Sequence, residues 1–326
     1  MAPESVSSSD LLRLYHSLRR IRRIEEEVAR VYPSDVIKSP VHLSIGQEAV
    51  SVGVIDVLDT SDVVAGSYRG HAAYLAKGGS LKGMLAEMYG KSTGCAGGKG
   101  GSMHLIGPGV NMLGASAVVG THIPMAAGYA LTLKRERRAR PSAAGRVAVV
   151  FFGDGATEEG VFAETLNFAA LHQLPLLLVC ENNGYAIHTP LEKRWATRRL
   201  CERVESYGIP AQLVEDGDVL RIRTLAGRAV AAMRDGGGPQ FLECHTYRWR
   251  EHVGPGEDYE AGYRPRAQLQ AWIDNDQVER LGGLIDGAAR LRIDQEIEQE
   301  IAEAVAFAEA SPFPEVKDLF THVYAP

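Results

Sequence analysis

Cysteine is scarce in this 326-residue chain: Cys95, Cys180, Cys201 and Cys244 are the four present, and none stands in CxxC spacing. That excludes the common zinc-ribbon patterns and argues against a disulfide framework. Cys180 and Cys244 sit in or beside apolar runs, where cysteine serves as a small hydrophobe. Basic excess is also lacking. Lys and Arg number 35 against 41 Asp and Glu, a net charge of −6, so nothing is set aside to neutralise nucleic-acid phosphates. The short run Lys134-Arg135-Glu136-Arg137-Arg138 is broken by Glu136 and reads as a solvated helix end. Long apolar runs are absent too. No stretch approaches the ~20 residues that span a bilayer, and the N-terminus has no apolar signal core. The expectation is a cytoplasmic protein with neither nucleic acid nor membrane as partner. There is no internal repeat and no low-complexity linker. What remains, 45% hydrophobic and 23% charged residues, is the composition of an ordinary globular protein.

The patterning indicates an α/β chain with helical ends. In "DLLRLYHSLRRIRRIEEEVARVY" (10–32), Leu14, Leu18, Ile21, Ile24, Val28 and Val31 recur at helical spacing. A second helical pattern begins at Gly46. Five glycines in "GCAGGKGG" (94–101) demand irregular backbone. From 146 the text alternates. "RVAVVFF" (146–152) and "LPLLLVC" (174–180) are continuous apolar runs of the kind buried on both faces of a sheet, and "TEEGVFAETLNFAALHQ" (157–173) between them is helical. Strand, helix and strand make a parallel crossover unit. "PQFLECHTYR" (239–248) adds a further strand. Ile293, Ile297, Ile301 and Val305 step by four along a last helix that Pro312 and Pro314 end.

Two polar motifs stand at the ends of the paired runs: Gly153-Asp154-Gly155 and Asn182-Asn183. In a parallel unit both carboxyl ends open on one edge of the sheet, where such folds bind ligands. Asp154 and Asn183 therefore converge although 28 residues separate them. A carboxylate and an amide oxygen are hard donors suited to Mg²⁺ or Ca²⁺. Two side chains are too few for a closed site, so a backbone carbonyl, water and a diphosphate should complete it. The helix starting near Thr157 presents its N-terminus to the same anion. Either motif alone would read as a turn.

Together with "HLSIGQEAVSVGV", "YRGH", "GKGGSMH", "VVGTHIPMAAG", "CENNGYAIHT" and "TYRWREH", this spacing resembles the alpha subunit of the decarboxylating component of 2-oxoacid dehydrogenase complexes, of pyruvate, branched-chain and acetoin type. The resemblance runs from about residue 10 to the C-terminus. It implies a thiamine diphosphate-binding, transketolase-like α/β fold: a mostly parallel sheet flanked by helices, with helical N- and C-terminal extensions. Its single domain would comprise a lead and helix (1–45), a cofactor-binding core (46–248), and a mobile loop with C-terminal helices (249–326). Mg²⁺ would be held by the side chains of Asp154 and Asn183 and the carbonyl of Tyr185. Tyr68, Arg69, Ala117, Val119, Gly153, Gly155, Ala156 and His252 would contact thiamine diphosphate, with Arg69 on the diphosphate. His71 and His252 would face the reacting carbon, with His42 in the channel that admits substrate.

The glutamate that activates the cofactor has no counterpart here, and Glu48 is not its equivalent by position. The resemblance implies that a beta subunit supplies it with a pyrimidine-binding domain, in an α2β2 assembly. Further expected partners are a small 2-oxoacid or ketose substrate and a lipoyl-bearing acyltransferase or another carrier protein. "GCAGGKGGSMH" is not a phosphate loop, because Gly100 rather than Ser or Thr follows Lys99. Two departures from the family pattern are Ser39-Pro40, in place of a Gly-containing stretch, and Glu251-His252-Val253, in place of Gly-His-Ser. The alternative reading is a two-component transketolase-like transferase of secondary metabolism, passing a thiamine-bound acyl or ketol unit to an aldehyde or a carrier thiol. A third is a subunit that binds the cofactor without catalysis.

Overall fold

The computed structural model describes residues 6–139 and 145–321; His322 lies outside them. Helix α1 (Ser8–Val31) starts where the Ser7 hydroxyl accepts the Asp10 amide, and it buries Leu14, Leu18, Ile21, Ile24 and Val28. Then follow α2 (Glu48–Ile55), β1 (Val63–Ser67), α3 (His71–Ala76), α4 (Leu81–Met88), β2 (Met112–Ser116) and α5 (His122–Ala139). The crossover unit is β3 (Ala148–Gly153), α6 (Gly160–Leu171) and β4 (Leu176–Asn182). A two-stranded hairpin follows, β5 (Tyr185–Ala186) and β6 (Thr189–Pro190). Next come α7 (Leu200–Glu205), β7 (Ala211–Val214), α8 (Val219–Arg234) and β8 (Gln240–His245). The chain ends in α9 (Ala267–Asp274), α10 (Gln277–Gly282) and α11 (Gly287–Ala310).

Six strands form one sheet in the order β2-β1-β3-β4-β8-β7, and every pairing is parallel. Successive side chains of β3 point to opposite faces. Val149 and Phe151 join the core under α1, α2, α8 and α11, while Ala148, Val150 and Phe152 join the core under α5 and α6. Both faces being covered explains why these strands read as unbroken apolar runs.

The strands end later than the apolar runs do. β3 extends to Gly153 and β4 to Asn182, because ladder pairing of Gly153 with Glu181 and of Asn182 with His245 continues where the side chains turn polar. β1, β2 and β7 have no counterpart among the runs read from sequence; they are short, and "VVAGS" and "MLGAS" dilute their apolar residues with Gly and Ser. Lys134–Arg138 does end a helix, α5, with Arg137 and Arg138 exposed in its last turn. Among the described residues no helix is long and apolar enough to cross a membrane.

Chain order reverses between β1 and β3: β1 is flanked outward by β2, and β3 by β4. The carboxyl ends of strands at such a reversal form a crevice. Here that edge carries Tyr68-Arg69 after β1, Asp154 after β3 and Asn183 after β4.

Candidate active site

A cavity of about 300 Å³ opens at this reversal. Tyr68, Arg69, Val119, Gly153, Asp154, Gly155, Ala156, Asn183, Tyr185 and His252 all line it. Ala117 is half-buried and does not reach it, although Val119 of the same turn does. His42 stands one ring away, with its centroid 4.6 Å from Tyr68 and 5.2 Å from His252. His71 is fully buried behind them. Its Nδ1 meets the Glu25 carboxylate at 2.8 Å and its Nε2 meets the Ser102 hydroxyl at 2.8 Å.

Arg69 is almost wholly buried, and its hydrogen bonds go to uncharged groups. Its guanidinium donates to the carbonyls of Leu43 (2.6 Å) and His252 (3.2 Å). Burial lowers its pKa. The same burial, reinforced by Arg69, holds His42 and His252 down at about 3, so both rings are neutral at pH 7. Burial pushes Glu181 up to about 8 against the pull of Arg69, and among the described residues no carboxylate oxygen is hydrogen-bonded to the Arg69 guanidinium. A buried cation facing a cavity without a counter-anion is a receptor for one.

Asp154 is 1% exposed. Burial pushes its carboxyl up while Arg194, whose guanidinium is hydrogen-bonded to Oδ2, pulls it down. Asn183 donates to the Gln47 side chain at 3.0 Å, and its Oδ1 accepts the Tyr185 amide at 3.1 Å. Among the described residues no three His, Cys, Asp or Glu side chains are grouped to hold a metal. A divalent ion here would therefore combine Asp154 with amide and carbonyl oxygens. The residues fit one, because Asp154 already holds a cationic group. Gly155 keeps the turn slim, since a Cβ there would meet the Ala186 Cβ at 2.9 Å.

The cavity has walls that sequence reasoning missed: Gln47, Ser67, His122, Glu158, Glu159, Glu181, Ala186 and Ile187. Several lay inside the quoted motifs, Gln47 in "GQEA", His122 in "THIP" and Glu181 beside the asparagines. Others quoted prove structural. Glu48 is bound to Arg22, at 2.5 Å and 3.2 Å, and to the Gly46 amide. The glycine-rich loop spends its amides on one buried carboxylate: Glu87 accepts from Ala96, Gly98, Gly100 and Gly101 at 2.6–3.1 Å. A Cβ at Gly94 would lie 2.4 Å from that carboxylate. The loop after Trp249 is tied by Asp258, which is paired with Arg248 and Arg264, both buried.

The fold is that of the transketolases. The transketolase of Campylobacter jejuni superposes with a TM-score of 0.60 at 16% identity, over 91% of this chain and 48% of that one; this chain thus spans about half the length of that structure. Sequence similarity is more specific. The pattern of the Dehydrogenase E1 component family matches residues 16–317, and the chain belongs to that family. The alpha subunit of the acetoin:2,6-dichlorophenolindophenol oxidoreductase of Bacillus subtilis is 37% identical over 98% of this chain and 95% of its own. The pyruvate dehydrogenase E1 component subunit alpha of Zymomonas mobilis is 36% identical over 96% of this chain and 88% of its own.

Proposed function

We propose that this chain is the alpha subunit of a thiamine diphosphate-dependent enzyme that decarboxylates a small 2-oxoacid, or cleaves an acetoin-like ketol, and delivers the acyl unit to a lipoyl carrier. Asp154, Asn183 and the Tyr185 carbonyl would hold Mg²⁺, and Arg69 would meet the diphosphate. When bound, thiamine diphosphate supplies an electron sink at the reacting carbon. This chain's residues supply the rest. Arg69 anchors and orients the anion, Tyr68 and Val119 line the wall beside it, and His252 and His42 stand as neutral rings, each with one N–H to donate and one nitrogen to accept a hydrogen bond at the reacting group. His71 would act from behind, through the Glu25–His71–Ser102 chain that fixes the loop at Ser102.

The observation that carries this reading is Arg69, a buried cation bonded, among the described residues, only to neutral groups, and sharing one cavity with the tips of β3 and β4. The activating carboxylate is expected from a beta subunit, so the α2β2 complex is the competent form. The test is the purified chain, alone and co-expressed with its beta partner, given pyruvate, branched 2-oxoacids and acetoin with dichlorophenolindophenol as electron acceptor. Turnover should require both polypeptides, and dye reduction by this chain alone would overturn the half-site reading. The alternative reading is the two-component transferase, which would pass the same thiamine-bound unit to an aldehyde or a carrier thiol. Product formation from an added aldehyde, with lipoyl protein inert, would select it.

A further inference from the structure

The segment that follows the β5–β6 hairpin carries a cation to the edge of the site. Arg194 is 7% exposed at its side chain and forks between two acids, Asp154 and Glu158. Its Nε donates to the Thr189 carbonyl at 3.0 Å, which fixes the stem of the fork to β6. The neighbouring Trp195 donates its indole N–H to the same Glu158 oxygen at 3.0 Å. The guanidinium therefore occupies one oxygen, Oδ2, of the one carboxylate that the proposed metal site requires. A divalent ion and Arg194 cannot both take the same Oδ2 lone pairs of Asp154, and the two positive charges repel at that distance. Arg194 follows the β5–β6 hairpin after the turn Leu191–Lys193 and is tied to it at the Thr189 carbonyl, while within the hairpin Tyr185 pairs with Pro190 and Ala186 with Thr189. Moving Arg194 off Asp154 thus pulls on the element that bears the proposed carbonyl ligand.

We propose that Arg194 is an internal lock on the metal half-site. It neutralises Asp154 while the site is empty and must be displaced before Mg²⁺ and the diphosphate enter together. This rests on the metal-diphosphate reading given above. It makes cofactor loading a cation exchange, in which a divalent ion takes the place of a guanidinium and Arg194 swings away from Asp154. A lock closed in about nine molecules of ten weakens apparent affinity about tenfold.

The experiment is a Mg²⁺ titration of the full chain co-expressed with its beta partner, at saturating thiamine diphosphate. Binding is followed by calorimetry and by tryptophan fluorescence, since Trp195 shares Glu158 with Arg194. Wild type is compared with R194M, which keeps the aliphatic stem without charge, and R194K, whose single ammonium cannot bridge Asp154, Glu158 and Thr189 at once. The lock predicts Mg²⁺ binding about tenfold tighter in R194M and intermediate in R194K. It also predicts a lower ligand-free thermal midpoint for R194M, with a loaded midpoint like that of wild type. Equal or weaker Mg²⁺ binding by R194M would overturn it; should R194M not fold, unchanged or weaker binding by R194K does so instead. If wild type shows no Mg²⁺-dependent signal, the metal site itself fails and the lock with it. Unchanged R194M affinity in a protein that does bind the ion removes the lock alone.

Discussion

Arg69→Met separates binding from folding more cleanly than any other single change in the site. Among the described residues the guanidinium bonds to two carbonyls and to no carboxylate. Met retains length and apolar packing but deletes the charge. In the ligand-free protein two effects oppose. Removing a desolvated cation gains several kcal/mol, while leaving two carbonyls unpaired costs about 1–3 kcal/mol each. They nearly cancel, and the thermal midpoint should move by no more than about 4 °C. Nothing cancels on the cofactor side. Two charge-assisted hydrogen bonds to a diphosphate, at about 1.5–3 kcal/mol each, sum to about 3–6 kcal/mol. That is a loss of about 10²–10⁴ in affinity. Calorimetric titration of thiamine diphosphate at saturating Mg²⁺, beside a thermal melt, reads both quantities. A change in Kd below tenfold, with the protein folded, would refute the assignment of Arg69 as the anion's anchor.

Three further outcomes are expected. His252→Ala should leave cofactor affinity within about threefold while turnover of the assembled enzyme falls about 10²-fold; a fully active variant would remove the ring from the chemistry. The folded pKa values of His42 and His252, about 3 against an ordinary 6.5, lie below their unfolded values. As pH falls from 6.5 toward 3 the unfolded chain takes up protons that the folded chain refuses, so ligand-free stability declines across that window. Urea midpoints at pH 7 and pH 4.5 should converge in a His42→Gln/His252→Gln double variant, and an unchanged gap would contradict the cause given. Glu87→Gln replaces a carboxylate that accepts four amides and should cost about 2–4 kcal/mol in denaturant unfolding. A neutral result would mean that water serves those amides equally well.

The β3–α6–β4 unit was legible because both faces of its strands are buried, which leaves unbroken apolar runs, and because a parallel crossover forces Asp154 and Asn183 onto one edge. Only motif resemblance points to Tyr68, Arg69 and His252, since nothing in periodicity joins residue 69 to residue 252. What stayed hidden has one physical character: side chains reaching across long sequence separations from irregular segments. Arg194 returns to Asp154 over 40 residues, and Glu25 reaches His71 over 46. Glu87 is an unremarked helical glutamate until the glycine loop folds over it. β1 and β2 escaped because short strands rich in Gly, Ala and Ser carry too little apolar contrast.

The proposed function requires one ion position at the tips of β3 and β4. Co-crystals of this chain and its beta partner, grown with thiamine diphosphate and Mn²⁺ in place of Mg²⁺, would show it by anomalous scattering. The expected result is one peak about 2.0–2.3 Å from oxygens of Asp154, Asn183 and Tyr185, bridging to the diphosphate beside Arg69. A peak elsewhere, or bound cofactor with Asp154 still paired to Arg194 and no ion between them, would contradict the account.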